Sequence, residues 1–436
     1  MIIMKFGGTS VGTADSVKSV LSIVRNRLDE QPVLVVSALS GVTNRLEELG
    51  RTAPAGETDT APLVERHRKL LRELELPEDL LDGLLSEMAD LVRGMKLVSE
   101  ASPRARDLLL SLGERCSVRL LAKYFSDNGV PAQAVDAFDL GLRTDSNFGR
   151  AKPLPDDGRI AENLARVVGL PVVTGYLGAD EKGDITTLGR NGSDFSAALF
   201  GHALNAREIQ VWTDVDGVMT ADPALVAGAR SIPTMSFGEA GELAYYGGKV
   251  LHPATIQPAM EKSIPVRVLN THYPDSPGTV ILQEYDSPGM PVRAIVHKPG
   301  VYLINLVAPP MLQQHGFLAK VFNAAAKHEV DVDLVATTEV SITMTSDRGD
   351  GMPGFCRDLE ELGDVTVDTD HSMLGVVGQG ISRTRGFAAQ VLGTLAEEDI
   401  RVRAISQGAI KVALGMVINN EDLTRAVNAL HDRFFG

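Results

Sequence analysis

The sequence predicts an α/β fold, a mostly parallel sheet between helices, followed by two ferredoxin-like βαββαβ modules. Two observations carry this. Over the first 285 residues, short β-branched or apolar runs alternate with helical stretches, the rhythm of a layered fold with parallel strands. Beyond them the chain repeats itself at an offset of 70 positions, so that Gly316-Phe317-Leu318 returns as Gly386-Phe387-Ala388.

Taken in order, Ile2 to Met4, Val33 to Val36, Val172 to Thr174, Ile209 to Trp212 and Val266 to Leu269 read as buried strands. Residues 14–29, 104–127, 193–204 and 254–262 read as helices. Residues 51–100, rich in Leu, Glu and Arg without strand signals, read as a helical insertion or lid. Asp286 to Pro291, with its Ser-Pro-Gly turn chemistry, reads as a linker. In the repeat, Phe317, Leu318, Val321, Phe322 and Ala325 stand at the same helical steps as Phe387, Ala388, Val391, Leu392 and Leu395. The flanking strands recur too: Tyr302 to Val307 matches Ser372 to Val377, and Val332 to Val335 matches Val402 to Ile405. The expected division is therefore 1–285 for the α/β domain, 292–368 for the first module and 369–436 for the second.

Composition narrows the function. With 42 Lys plus Arg against 57 Asp plus Glu, and no basic block interleaved with aromatics, nucleic acid is not an expected partner. An acidic protein that handles anions must supply positive charge locally, from single side chains and helix N-termini. Cys116 and Cys356 form no CxxC pair and no disulfide framework, which suits a reducing compartment. No apolar run is long enough to span a membrane and Met1 to Met4 is too short for a signal peptide, so a cytoplasmic location is expected.

Four segments have the chemistry of a phosphoryl-transfer site. Strand 2–4 runs into Lys5-Phe6-Gly7-Gly8-Thr9-Ser10, where paired glycines admit phosphate oxygens to backbone N–H groups and Lys5 adds a charge. An isolated turn of this kind is equally a strand end with a solvated lysine. No GxxxxGK[ST] occurs. Gly189-Arg190-Asn191-Gly192-Ser193-Asp194 opens a helix; Arg190 can clamp a carboxylate, Ser193 and the amides can bind an anion, and Asp194 can orient a lysine, although Ser193 or Asp194 alone could simply cap the helix. Val211 to Pro223 is a strand end followed by acidic turns, suited to a ribose or base edge or, for Asp216 and Asp222, to turn formation. Gly247-Gly248-Lys249-Val250-Leu251-His252-Pro253 brings a second lysine to a turn. His252 reads as a structural hydrogen-bonder, because transfer to an ionised carboxylate needs no base.

With these segments in this order the chain resembles the aspartate kinases of the amino acid kinase superfamily. The resemblance rests on KFGGTSV at 5–11, SALSGVTN at 37–44, GRNGSD at 189–194, WTDVDGVMTADP at 212–223 and GGKVLHPAT at 247–255, with repeated modules that resemble ACT domains. It implies a monofunctional, ATP- and Mg²⁺-dependent kinase that forms 4-phospho-L-aspartate, the first step toward lysine, threonine and methionine. Lys5, Gly7 and Gly8 would meet the phosphates, and Thr213, Asp214, Met219, Lys249 and Val250 would surround the nucleotide. Thr43, Glu114, Arg190, Asn191, Gly192 and Ser193 would hold aspartate. Lys5, Asp194 and Lys249 would be catalytic, with no metal bound directly by side chains. Asn191, Met219 and Ala224 depart from the family's more frequent Gly, aromatic and Arg. The modules imply feedback by an amino acid, lysine before threonine. Met311, Gly316, Phe317, Leu318, Val332, Asp333, Thr337, Thr338 and Glu339 resemble the pocket of lysine-inhibited members. Pairing of modules across subunits implies a homodimer or a dimer of dimers. A glutamate or N-acetylglutamate kinase would not be expected to combine GRNGSD, GGKVLHPAT and two ACT-like units. A non-catalytic amino-acid sensor would not be expected to keep Lys5, Glu114, Arg190, Asp194 and Lys249.

Overall fold

The computed structural model describes residues 1–248, 251, 253–285, 291–311, 315–347, 349–408 and 412–436. Through residue 285 the elements run β1 (Ile2–Phe6), α1 (Ala14–Arg25), β2 (Pro32–Val36), α2 (Val42–Thr52), α3 (Ala61–Glu73), α4 (Asp82–Val98), α5 (Pro103–Asp127), β3 (Ala132–Val135), α6 (Arg159–Leu164), β4 (Leu170–Thr174), β5 (Leu177–Ala179), β6 (Ile185–Thr187), α7 (Gly192–Ala203), β7 (Ile209–Thr213), β8 (Thr234–Ser236), α8 (Phe237–Tyr245), α9 (Pro253–Glu261), β9 (Val266–Asn270) and β10 (Thr279–Leu282). The chain forms two compact units, the first from Met1–Val218 and Val250–Glu284 and the second from Met219–Lys249 and Tyr285–Gly436. Residues 219–249, which the sequence assigns to the α/β domain, group with the second unit.

In the first unit the sheet order is β3-β4-β2-β1-β7-β9-β10, parallel throughout except for β10. Strands β1 and β2 are almost wholly buried, which is why they read as unbroken apolar runs rather than alternating ones. From β1 the chain crosses to β2 on one side, while β7 lies on the other, so the carboxyl ends of β1 and β7 border a switch point of the sheet. Helix α1 begins at Thr13, whose hydroxyl accepts the Ser16 N–H at 3.2 Å, and stops at Arg25, short of the expected 29, because Asn26 closes it and a 3₁₀ turn follows at Leu28–Glu30. Residues 51–100 contain helices α3 and α4 and no strand. Helices α3 and α4 bury Leu63, Leu70, Leu71, Met88, Val92 and Met95 in one core with Leu109, Leu112 and Val118 of α5. Among the described residues no helix is long and apolar enough to cross a membrane.

The second unit continues with β11 (Ala294–Val307), α10 (Phe317–Lys327), β12 (Val335–Thr337), β13 (Ser341–Ser346), α11 (Met352–Glu360), β14 (Asp364–Val377), α12 (Phe387–Glu397), β15 (Ala404–Ser406), β16 (Ala413–Asn419) and α13 (Leu423–Phe435). The repeat is exact in register: β14 and α12 follow β11 and α10 by 70 positions at both ends. The strands expected at 332–335 and 402–405 begin later, at Val335 and Ala404. Before Val335 the backbone is held irregularly, with Leu334 N–H donating to the Thr345 hydroxyl at 2.9 Å.

The modules do not stand in sequence as separate sheets. They share one six-stranded sheet, ordered β12-β13-β11-β14-β16-β15. Tyr302 to Val307 pair with β13, whereas Ala294 to Pro299 pair with Ser372 to Val377 of β14. The first half of each long strand thus completes the module centred on the second half of the other, and the register slips between Pro299 and Leu303 where the exchange occurs. One core gathers around Phe317 and Phe355, the other around Phe387, Leu395 and Leu430, with Val292 and Ile295 joining the latter.

Candidate active site

The first unit contains a cleft of about 690 Å³ lined by Lys5, Ser37, Thr43, Glu114, Tyr176 and residues 189–194, among others. Lys5 comes from the end of β1, where Gly7 N–H reaches the Trp212 carbonyl at 3.3 Å and so ties β1 to β7. A side chain at Gly8 would place its Cβ 2.8 Å from the Ala38 carbonyl, which explains the glycine by close packing of the 5–10 turn on the 37–40 turn. Lys5 Nζ forms an ion pair with Asp194 at 2.8 Å. Asp194 lies in the first turn of α7, so the lysine is steered by a carboxylate that the helix N-terminus also favours.

Across the cleft, α5 delivers Glu114. Its Oε1 accepts the Ala38 N–H at 3.1 Å, while Oε2 is buried without a hydrogen-bond partner. Burial pushes this carboxyl up to about 8, although the Ala38 N–H pulls it down. An orphaned carboxylate oxygen facing a cleft is the complement of an ammonium group. Arg190 is exposed at the rim, Ser193 is buried at the start of α7, and Thr43 is half-buried near the start of α2. Asn191 has φ +58°, a left-handed conformation that asparagine tolerates better than most residues, so its departure from glycine is accommodated.

Sequence reasoning missed two positions. Tyr176 lines the cleft with φ +67°, a strained value for an aromatic residue, fixed by its N–H to the Ser196 hydroxyl at 2.9 Å; burial pushes its own hydroxyl upward. Asp107 is buried on α5 and accepts Gly149 N–H at 2.9 Å, Thr187 N–H at 2.8 Å and the Thr187 hydroxyl at 3.0 Å. It clamps β6 and the loop that brings Gly149 and Arg150 to the cleft. A lone Asp following Arg104 and Arg106 in a helical run carries no signal of that kind.

The residues expected around the nucleotide are distributed differently. Gly7 and Gly8 adjoin Lys5, while Thr213 and Asp214 end β7, with the Thr213 hydroxyl donating to Asp214 at 3.2 Å. Met219 falls in the second unit. Lys249, Val250 and His252 lie outside the described residues. Asp222 serves a turn, accepting the Ala224 N–H at 2.9 Å, and Asp216 accepts from Asn270 at 2.7 Å. Among the described residues no group of three or more His, Cys, Asp or Glu side chains could hold a metal ion.

The residues expected to hold an effector occupy two segments of the first module. Met311 and Gly316 precede α10, where Phe317 is a core side chain and Leu318 is exposed. Val332, Asp333, Thr337, Thr338 and Glu339 lie along β12 and its approaches, with Thr337 to Glu339 exposed. The Asp333 carboxylate is paired with Lys298 at 3.4 Å. Burial raises its pKa, and Lys298 opposes the shift.

A parallel sheet with a switch point, a lysine steered by an acid and an anion-ready helix start suit the chemistry of phosphoryl transfer. The profile of the amino acid kinase family matches residues 1–270, and that of the ACT domain matches 374–434. Aspartokinase 2 of Arabidopsis thaliana chloroplasts is 36% identical, covering 99% of this chain and 84% of its own. Lysine-sensitive aspartokinase 3 of Escherichia coli is 34% identical, covering 100% and 99%. The crystal structure of E. coli aspartokinase III with aspartate and ADP covers both chains fully, with a TM-score of 0.82 at 32% identity, and the form with lysine and aspartate gives 0.81. The chain belongs to the aspartokinases of the amino acid kinase family and is an aspartate kinase.

Proposed function

We propose that this aspartate kinase transfers the γ-phosphoryl group of ATP to the β-carboxylate of L-aspartate, through the residues named above, and that lysine inhibits it through the ACT modules. The observation that carries the substrate assignment is the buried, partnerless Glu114 Oε2 in the same cleft as Arg190 and the Lys5–Asp194 pair. Glu114 takes the substrate ammonium, Arg190 and the start of α7 take the α-carboxylate, and the β-carboxylate is directed toward Lys5. Its oxygen attacks the γ-phosphorus in line as the bond to ADP breaks. The carboxylate is already ionised, so no proton is removed. Lys5 stabilises the equatorial oxygens and Asp194 fixes its position. Lys249 is assigned by motif to the same phosphates. Mg²⁺ is ordinarily held by nucleotide phosphates and one or two carboxylates rather than by a protein cage; bound with ATP, it would neutralise phosphate charge.

Lysine is favoured over threonine by the acidic residues Asp333 and Glu339 in the effector segments and by the likeness to the lysine-sensitive E. coli enzyme. A homodimer is the expected assembly, and the product would feed lysine, threonine and methionine synthesis. The test is acyl phosphate trapping by hydroxylamine with ATP, Mg²⁺ and either L-aspartate or L-glutamate, with and without lysine or threonine. Product with aspartate and its suppression by lysine are expected. Turnover with another donor but not ATP, or suppression by threonine alone, would overturn the corresponding assignment.

A further inference from the structure

Arg150 stands on the loop between β3 and α6 and lines the same cleft as Lys5 and Arg190. The backbone there is fixed at successive positions. Arg150 N–H donates to the Asn147 carbonyl at 3.1 Å, and the Arg150 carbonyl accepts the Asn147 side-chain amide at 3.3 Å. Gly149 N–H is held by Asp107 at 2.9 Å and Ala151 N–H by the Thr187 carbonyl at 2.9 Å. The loop is thereby anchored to α5 and β6, which gives the Arg150 side chain a defined root at the rim.

That side chain has no counter-charge. Among the described residues Arg150 has neither an ion-pair nor a side-chain hydrogen-bond partner, and the same holds for Arg190. The acids around the loop are engaged elsewhere: Asp107 by Gly149 and Thr187, and Asp145 by the N–H groups of Asn147 at 3.2 Å and Lys152 at 2.9 Å. Of Lys5, Arg150 and Arg190, only Lys5 meets a carboxylate, that of Asp194. In a chain with 57 Asp plus Glu against 42 Lys plus Arg, two unpaired guanidiniums on one cleft point to an anion that arrives from outside.

Gly189 indicates which part of that anion Arg150 meets. It has φ +78°, and a Cβ there would lie 3.2 Å from the Gly149 carbonyl and 3.4 Å from Arg150 Cγ. The Arg150 stem therefore lies against the residue immediately before Arg190. Lys5 attaches instead at Asp194, the other end of the same segment. We propose that Arg150 is a second guanidinium for the α-carboxylate of the substrate, so that Arg150 and Arg190 together make this carboxylate a requirement and leave the reacting carboxylate to Lys5. This rests on the reading of the cleft as the aspartate site with Arg190 on the α-carboxylate.

The test uses the full-length enzyme, with L-aspartate as substrate and L-aspartic acid α-amide as competitive inhibitor. The amide keeps the ammonium and the β-carboxylate but has no charge at the α-position. Arg150→Gln keeps the stem that packs on Gly189 and removes the guanidinium. It should raise the KM for aspartate about tenfold, leave kcat and the KM for ATP within about twofold, and change the Ki of the amide by less than about twofold. Arg150→Ala should behave alike, since the charge and not the stem is at issue. An unchanged KM for aspartate overturns the proposal. So does an equal loss for aspartate and the amide, which would make Arg150 part of the loop's scaffold, or a fall in kcat alone, which would place it at the transferring phosphoryl group. Arg190→Ala separates this proposal from the reading beneath it. If Arg190→Ala weakens aspartate more than the amide while Arg150→Gln does not, the α-carboxylate assignment stands and the role of Arg150 falls. If wild type binds aspartate and the amide equally, both fall.

Discussion

Two ionisable residues in the cleft are set by opposite means. Lys5 is held in place by its ion pair with Asp194, and removing its ammonium should lower kcat by about 10²–10⁴-fold while circular dichroism stays native. Near-normal turnover of Lys5→Ala would reject the role. Glu114 is held largely neutral by burial, with its carboxyl near 8 against an ordinary 4.5. The sign follows from the proton count. Between about 4.5 and 8 the empty folded enzyme keeps a proton that the unfolded chain has lost, so this residue's contribution to stability declines as pH rises through that window. An ammonium ligand favours the ionised form, so aspartate affinity should strengthen by up to about tenfold per pH unit toward 8. Measured KM for aspartate from pH 6 to 8 checks this, and Glu114→Gln should flatten the profile.

At the scale of elements, Asp107 joins α5 to β6 and to the loop at Gly149. Asp107→Ala leaves two backbone N–H groups without their acceptor and should cost about 2–4 kcal/mol, with a raised KM for aspartate because the Arg150 side of the cleft loosens. Denaturant melts and kinetics on the one variant read both effects; unchanged aspartate KM would restrict Asp107 to stability. Elements were legible where the signal is local. The apolar runs at 2–4 and 33–36, the helix opened by GRNGSD and the steps of α10 and α12 all follow from local pattern. Lys5 and Asp194, read from contiguous Gly-rich segments, and Glu114, given by the resemblance, line one cleft. Tyr176 and Asp107 act through contacts with residues far off in sequence, Ser196 and Thr187, which no pattern of nearby residues announces. The sharing of β11 and β14 was likewise hidden, since both halves of each strand are apolar enough to read as one strand and only pairing reveals two roles.

For the whole molecule, separate cores in the two units predict thermal unfolding in two steps rather than one. Aspartate with a non-hydrolysable ATP analogue should raise one calorimetric transition and lysine the other, each by RT ln(1 + [L]/Kd), about 2.7 kcal/mol at a hundredfold excess over Kd. A single transition moved alike by every ligand would show that the cores melt together.

The exchange between β11 and β14 also sets an order of birth for the chain. Ala294 to Pro299 leave the ribosome long before Ser372 to Val377, the strand segment they pair with. At about 5–20 residues per second, that edge waits several seconds for its partner. Residues 301–368 supply every strand of the first module and both its helices, so it can close during the wait, nested inside a sequence whose two ends have yet to meet. A stalled or truncated product ending before β16 would therefore display an unpaired apolar strand edge, a surface that chaperones or proteases would recognise.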